Sequence, residues 1–131
     1  MPSFDDHAVS PAPAHQVWTL LYDPTRFTQW WVGVETVNVD SEAGYTMYPT
    51  GYPDFPMPQV LRADRAGQQV AISCLVSDLE FLWRLTPAAD GVSTDIAVHV
   101  QIPAAEAGRL ATQRDVIHRS LLNLARLAAL E

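Results

Sequence analysis

The sequence contains no lysine and one cysteine, Cys74, and no apolar run approaches the ~18 residues that span a bilayer. The single cysteine excludes an intrachain disulfide and any cysteine-based zinc site built within one chain. All 8 basic residues are arginines, scattered from Arg26 to Arg126, against 15 acidic residues, for a net charge of -7. A chain this acidic, without a basic cluster, is a poor partner for nucleic acid or anionic membranes. The start, MPSFDDHAVS, has neither the basic nor the apolar segment of a secretion signal. A soluble, cytoplasmic protein without stable membrane insertion is expected, as a monomer or homodimer.

The chemistry-bearing motifs are also sparse. There is no phosphate-binding glycine loop, no Gly-x-Ser-x-Gly and no zinc-ligand spacing. His7, His15 and His99 are dispersed, so no metal site is expected. Asp5 and Asp6 are adjacent on a strand and point to opposite faces, which argues against paired carboxylates. No cofactor is implied.

What is present is a folding pattern. With 131 residues, 48% of them hydrophobic and 18% charged, the composition is that of one packed globule, expected as a single domain over residues 1–131. A short strand from Ser3 to Ser10 stops at Pro11, with Ser10 as a plausible N-cap for a helix from Ala12 to Leu21. Ala14, Val17, Trp18 and Leu21 form its apolar face, and Asp23-Pro24 ends it. PTRFTQWW reads as a second short helix before Gly33. Val34, Val37 and Val39 pair across Gly44 with Tyr45, Met47 and Tyr48, and the prolines from Pro49 to Pro58 mark an irregular loop.

Strands follow at Gln59 to Asp64, Gln68 to Ser77, Leu79 to Thr86 and Ser93 to Ile102. Val70, Ile72, Cys74 and Val76 share one face, as do Leu79, Phe81, Trp83 and Leu85. Asp90-Gly91 makes the strongest hairpin turn, leading to Ile96, Val98, Val100 and Ile102 on a common face. His99 and Gln101 lie opposite. From Ala104 to Leu130 helix formers dominate, with Leu110, Ile117, Leu121, Leu124 and Ala128 in a stripe. A one-faced sheet and a long amphipathic helix must bury those faces against each other.

Two stretches carry a family resemblance. VSPAPAHQVWTLLYDPTRFTQWW, with Val17-Trp18, Asp23-Pro24 and Phe27 to Trp30, resembles the opening signature of the SRPBCC, or START-like, helix-grip superfamily, in its polyketide cyclase/dehydrase branch. WRLTPAADGVSTDIAVHVQI resembles that family's penultimate hairpin. The resemblance spans essentially the whole chain. It implies an α+β helix-grip fold: a curved antiparallel sheet of about seven strands around a long C-terminal helix, with two short helices after the first strand and a cavity between sheet and helix. The short chain and tight loops argue against a very large lipid cavity.

The expected ligand is a hydrophobic, aromatic or polycyclic small molecule, of lipid, quinone or polyketide type. The expected walls are Val70, Ile72, Cys74, Phe81, Trp83, Val98, Val100, Ile117 and Leu121. Trp18, Phe27, Trp30 and Trp31 either stack on the ligand or plug the helix end of the core, and neighbouring Trp30 and Trp31 are not expected to point the same way. A tyrosine hydroxyl at Tyr45 or Tyr48 suits a ligand carbonyl. Arg114 and His118, spaced i, i+4, either face a ligand or form an exposed polar edge.

Two alternatives stand beside a binding protein. A polyketide cyclase- or dehydratase-like enzyme without metal or nucleotide would use Tyr48, Arg114 or His118. A partner- or chaperone-binding module would present Tyr52, Phe55 and Met57 as an exposed patch and hold no ligand-sized cavity.

Overall fold

The computed structural model describes residues 2–131. Seven antiparallel strands form one sheet in the order β1-β7-β6-β5-β4-β3-β2. They are β1 (Ser3–Ser10), β2 (Val34–Val39), β3 (Gly44–Pro49), β4 (Met57–Asp64), β5 (Gln69–Cys74), β6 (Glu80–Pro87) and β7 (Thr94–Gln101). After β1 come the helix α1 (Ala14–Leu21) and a 3-10 helix (Pro24–Gln29); after β7 come a 3-10 helix (Ala104–Arg109) and the long helix α2 (Leu110–Ala128). The strands form a meander from β2 to β7, and β1 closes beside β7 along its full length, Ser3 opposite Gln101 and Ser10 opposite Thr94. This is the expected helix-grip architecture.

Alternation makes the sheet one-faced. On β7, Ile96, Val98 and Val100 are buried, as are Phe81, Trp83 and Leu85 on β6 and Val70, Ile72 and Cys74 on β5. The stripe on α2 formed by Ile117, Leu121, Leu124 and Ala128 is fully buried. Burying a Leu or Ile side chain contributes about 1.5–3 kcal/mol each, so this seam dominates the docking of the helix.

Several local expectations shift. Helix α1 begins at Ala14, with Pro13 as an N-cap that offers no side-chain bond. The Ser10 hydroxyl lies too far back along the chain to cap it. It accepts from the Ala12 amide at 3.2 Å and donates to the Ala125 carbonyl at 2.7 Å, tying β1 to α2. The second short helix is a 3-10 helix capped by the Asp23 carboxylate, which accepts from the Thr25 amide.

The proline-rich connection is shorter than expected, because Pro49 closes β3 and Met57-Pro58 open β4. Proline is tolerated near a strand end, where its missing donor is least costly. Strand β5 stops at Cys74, where the Asp78 amide bonds back to the Cys74 carbonyl at 2.9 Å and the chain turns. Val76 therefore leaves the inward row and is half exposed. The C-terminal element is likewise two pieces, since the residues around Gly108 take the tighter 3-10 form before α2 begins.

Candidate functional site

The space between sheet and helix is divided. Helix α2 lies toward the β1 edge, where the Arg114 guanidinium sits 5.6 Å above the Phe4 ring and the His118 Nδ1 is 3.0 Å from an Asp6 carboxylate oxygen. Under the helix the core is solid: Val70, Ile72, Trp83, Val98, Val100, Ile117 and Leu121 expose 1% or less of their surface. Beyond the helix, over β3, β4 and β5, lies an open pocket of about 640 Å³.

Its walls come from several elements. The segment after the first 3-10 helix supplies Trp31 and Val34; β3 supplies Tyr45, Met47 and Pro49; β4 supplies Met57 and Gln59. Cys74, Val76, Ser77, Leu79 and Phe81 line the side toward β6, and Tyr52 and Phe55 rise from the loop between β3 and β4. From the helical side come Glu106, Arg109, Gln113 and Val116. Arg109, Gln113 and Val116 recur at i, i+4 and i+7, which puts them on one face of the helix, beside the buried stripe.

Trp31 separates the two regions. Its ring stacks on Trp30 at 5.3 Å and 22°, and meets Phe81 and Trp83 edge-on at 5.2 and 5.3 Å. Phe27 and Tyr45 join this cluster through ring contacts at 5.3 and 5.7 Å. The two adjacent tryptophans thus lie together, against expectation, because the 3-10 helix ends at Trp30 and both rings turn into the same aromatic cluster. Trp30 is wholly on the filled side, its indole donating to the Leu20 carbonyl at 3.0 Å. The divider is pinned from behind. The Asn123 amide donates to the Trp30 carbonyl at 3.2 Å, and the Val32 amide donates to the Ser120 hydroxyl at 2.9 Å.

Of the residues anticipated from the sequence, Trp31, Tyr45, Cys74 and Phe81 line the pocket. Trp30, Val70, Ile72, Trp83, Val98 and Val100, together with Ile117 and Leu121 of α2, are buried in the core and do not line the pocket. Tyr48, Arg114 and His118 are not brought to it. Tyr48 is opposite Thr36 on the outer face of the sheet, one residue out of phase with Tyr45, Met47 and Pro49. Arg114 and His118 are exposed over β1. Trp18 and Phe27 are buried in the core.

Gln59, Ser77, Met47, Gln113 and Val116 were not anticipated. Gln59 was readable, because strand alternation puts it on the same face as Leu61, where an amide among apolar side chains stands out. The patch at Tyr52 and Phe55, 66% and 53% exposed, is present, but it forms the rim of a ligand-sized pocket, and Met57 is half-buried.

Electrostatically the floor is neutral. Burial, with a smaller contribution from neighbouring Cys74, pushes the Tyr45 phenol well above the ordinary tyrosine range, so it remains a protonated donor. At the mouth, Arg109 is held by Glu106 at 3.0 Å. Among the described residues there is no cluster of metal-ligating side chains and no helix long and apolar enough to cross a membrane. The arrangement can hold an apolar body against Trp31, Phe81, Leu79 and Met47, and can donate a hydrogen bond from Tyr45.

The fold and pocket together define a helix-grip protein. More narrowly, a family model described as "Polyketide cyclase / dehydrase and lipid transport" matches residues 1–129, and the chain belongs to that family. No curated protein sequence matches it. Among solved structures, the protein XoxI from Bacillus cereus superposes with a TM-score of 0.82 at 8% identity, over 97% of this chain and 95% of that one. The Zhui aromatase/cyclase from Streptomyces sp. R1128 gives 0.73 at 17% identity, over 97% and 93%. The di-domain ARO/CYC BexL from the BE-7585A biosynthetic pathway gives 0.78 at 13% identity, with 96% of this chain covering 46% of that one. At these identities the likeness is one of fold.

Proposed function

We propose that this protein binds an apolar small molecule, with an aromatic or polycyclic body, in the pocket between Trp31, β3 to β5 and the start of α2. The observation that carries the reading is the pocket itself: about 640 Å³, within the usual range for ligand sites, with aromatic and aliphatic walls and few polar groups. The family's description, which names lipid transport beside cyclase and dehydrase activity, agrees with a small-molecule role. Thermal-shift and native mass spectrometry against quinones, sterols, flavonoids and fatty acids test it. Expected is a bound complex and a raised melting temperature for at least one class, both weakened by Met47→Trp, which puts a bulkier side chain into the pocket wall. No complex with any class would overturn the reading.

A second reading is catalysis on the bound molecule, and its support is that the aromatase/cyclase proteins Zhui and BexL share this fold. Tyr48, Arg114 and His118 lie away from the pocket, so they do not carry it. Tyr45 is the group placed to polarise a ligand carbonyl, as a neutral donor in a desolvated floor. If a bound carbonyl compound is recovered with unchanged mass and structure after long incubation, this reading is set aside and the binding role stands.

A further inference from the structure

The buried polar side chains fall into two groups. Ser10, Thr94 and Ser120 lie in the filled half and are satisfied: Ser10 donates to the Ala125 carbonyl, Thr94 to the Ala12 carbonyl at 2.8 Å, and Ser120 to the Val116 carbonyl at 2.7 Å. Gln59 and Ser77 both line the pocket. Among the described residues, Gln59 makes one side-chain bond, from Nε2 to the Met57 carbonyl at 3.2 Å, and the Ser77 and Tyr45 hydroxyls make none. Tyr45, Gln59 and Ser77 line the pocket, so their spare hydrogen-bonding capacity is open to a ligand there, whereas the buried atoms left without a partner among the described residues, Trp83 Nε1 and Arg26 Nε, belong to residues that do not line it.

Register concentrates these groups. Tyr45 on β3 lies opposite Gln59 on β4, and Gln59 lies opposite Cys74 on β5. The three side chains expose 3%, 5% and 4% of their surfaces, forming an in-register row across the floor, with Ser77 just beyond in the turn. Directly opposed residues on one face sit about 5 Å apart, a spacing that one or two ligand oxygens can bridge. The row has phenol and amide donors, an amide acceptor and a thiol, and no charge. The cation lining the pocket, Arg109, is at the mouth and already paired with Glu106. A carboxylate brought to this floor would lose its hydration without gaining a counter-charge.

We propose that Tyr45, Gln59 and Ser77 form a neutral oxygen-recognition subsite that selects uncharged ketone- or hydroxyl-bearing polycyclic ligands over the matching hydrocarbons and carboxylates. The proposal rests on the pocket being a small-molecule site. It adds an orientation, with the ligand oxygen at the β3–β5 floor and the apolar rings against Trp31 and Phe81. It also adds a charge rule that apolar walls alone do not impose.

Equilibrium dialysis with three probes of one skeleton tests it: fluorene, 9-fluorenone and fluorene-9-carboxylate at pH 7. Fluorenone is expected to bind about tenfold tighter than fluorene, the scale of one well-placed hydrogen bond in a desolvated site, and the carboxylate weaker than both. Tyr45→Phe is expected to bring fluorenone down toward fluorene and leave fluorene unchanged. Gln59→Met, tested separately, is expected to narrow the same ratio, so the result does not depend on one variant folding. Equal binding of fluorene and fluorenone, an unchanged ratio in both variants, or tightest binding of the carboxylate overturns the subsite while leaving the pocket reading intact. If none of the probes binds, the subsite is overturned, while the pocket reading falls only if the quinones, sterols, flavonoids and fatty acids also fail to bind.

Discussion

The two halves of the inner face are built from similar strands and end up in opposite states. Toward β1, β6 and β7 the sheet meets α2, and Phe4, Trp83, Leu85, Ile96, Val98 and Val100 are buried together with Ile117 and Leu121. Toward β3, β4 and the end of β5 the helical elements only border the space, through Glu106, Arg109, Gln113 and Val116, and the same inward alternation leaves Tyr45, Met47, Gln59 and Cys74 lining an open pocket. The chemistry of the side chains follows the cover. Ser10, Thr94 and Ser120 on the filled side are tied to backbone carbonyls, with the Trp83 indole N–H left unpartnered among the described residues, whereas Tyr45, Gln59 and Ser77 on the open side keep bonds to spare. The lateral position of one helix thus separates a structural core from a candidate binding surface.

The largest expected effect comes from breaking the filled half. Leu121→Ala should cost about 3 kcal/mol in urea-unfolding free energy, since it leaves a cavity in a close-packed region. Met47→Ala, removing a comparable volume from a half-buried wall, should cost clearly less, about 1 kcal/mol, because that side chain already borders open space. Equal costs would mean that the two halves do not differ as described.

Trp31→Ala attacks the boundary. It should destabilise the fold by about 3 kcal/mol and shift ligand preference toward longer molecules, read as retention of larger ring systems in native mass spectra. Arg114→Ala and His118→Ala, both over β1 and exposed, should change stability by at most about 1 kcal/mol and leave ligand affinity unaltered. Affinity loss in either would return these residues to the site.

The smallest effect lies far from both halves, in the β6–β7 turn. Asp90 accepts from the Ser93 hydroxyl and from the Ser93 and Val92 amides, which hold its carboxyl below the ordinary aspartate range. Its support of the turn is complete above that range and is lost as pH falls through the depressed folded-state value. Asp90→Ala should therefore show a slightly reduced melting temperature at neutral pH and no difference from the parent at strongly acidic pH.

The fold was legible because periodicity and punctuation are local: Pro11, Asp23-Pro24 and Asp90-Gly91 mark ends and turns, and alternation assigns a face to each strand residue. The pocket was legible only in part, because alternation says which way a side chain points and not what lies above it. Val98 and Trp31 are both buried, yet only Trp31 borders the open region; the difference is set by where α2 crosses the sheet. Tyr48 was a question of phase, settled once Tyr45, Met47 and Pro49 formed the inward row. Arg114 was one helical step around from Gln113, about 100°, and His118 two steps from Val116, about 200°, differences of phase that composition does not encode.

The bonds from Ser120 and Asn123 to the chain on either side of Trp31 give α2 a second task. They fasten the divider to the longest rigid element in the molecule, so pressure on Trp31 from inside the pocket is transmitted to the middle of the helix. A snugly fitting guest should slow amide hydrogen exchange around residues 116–124, and an oversized one should speed it. The helix, which does little to form the pocket's floor, would then act as the gauge of its filling.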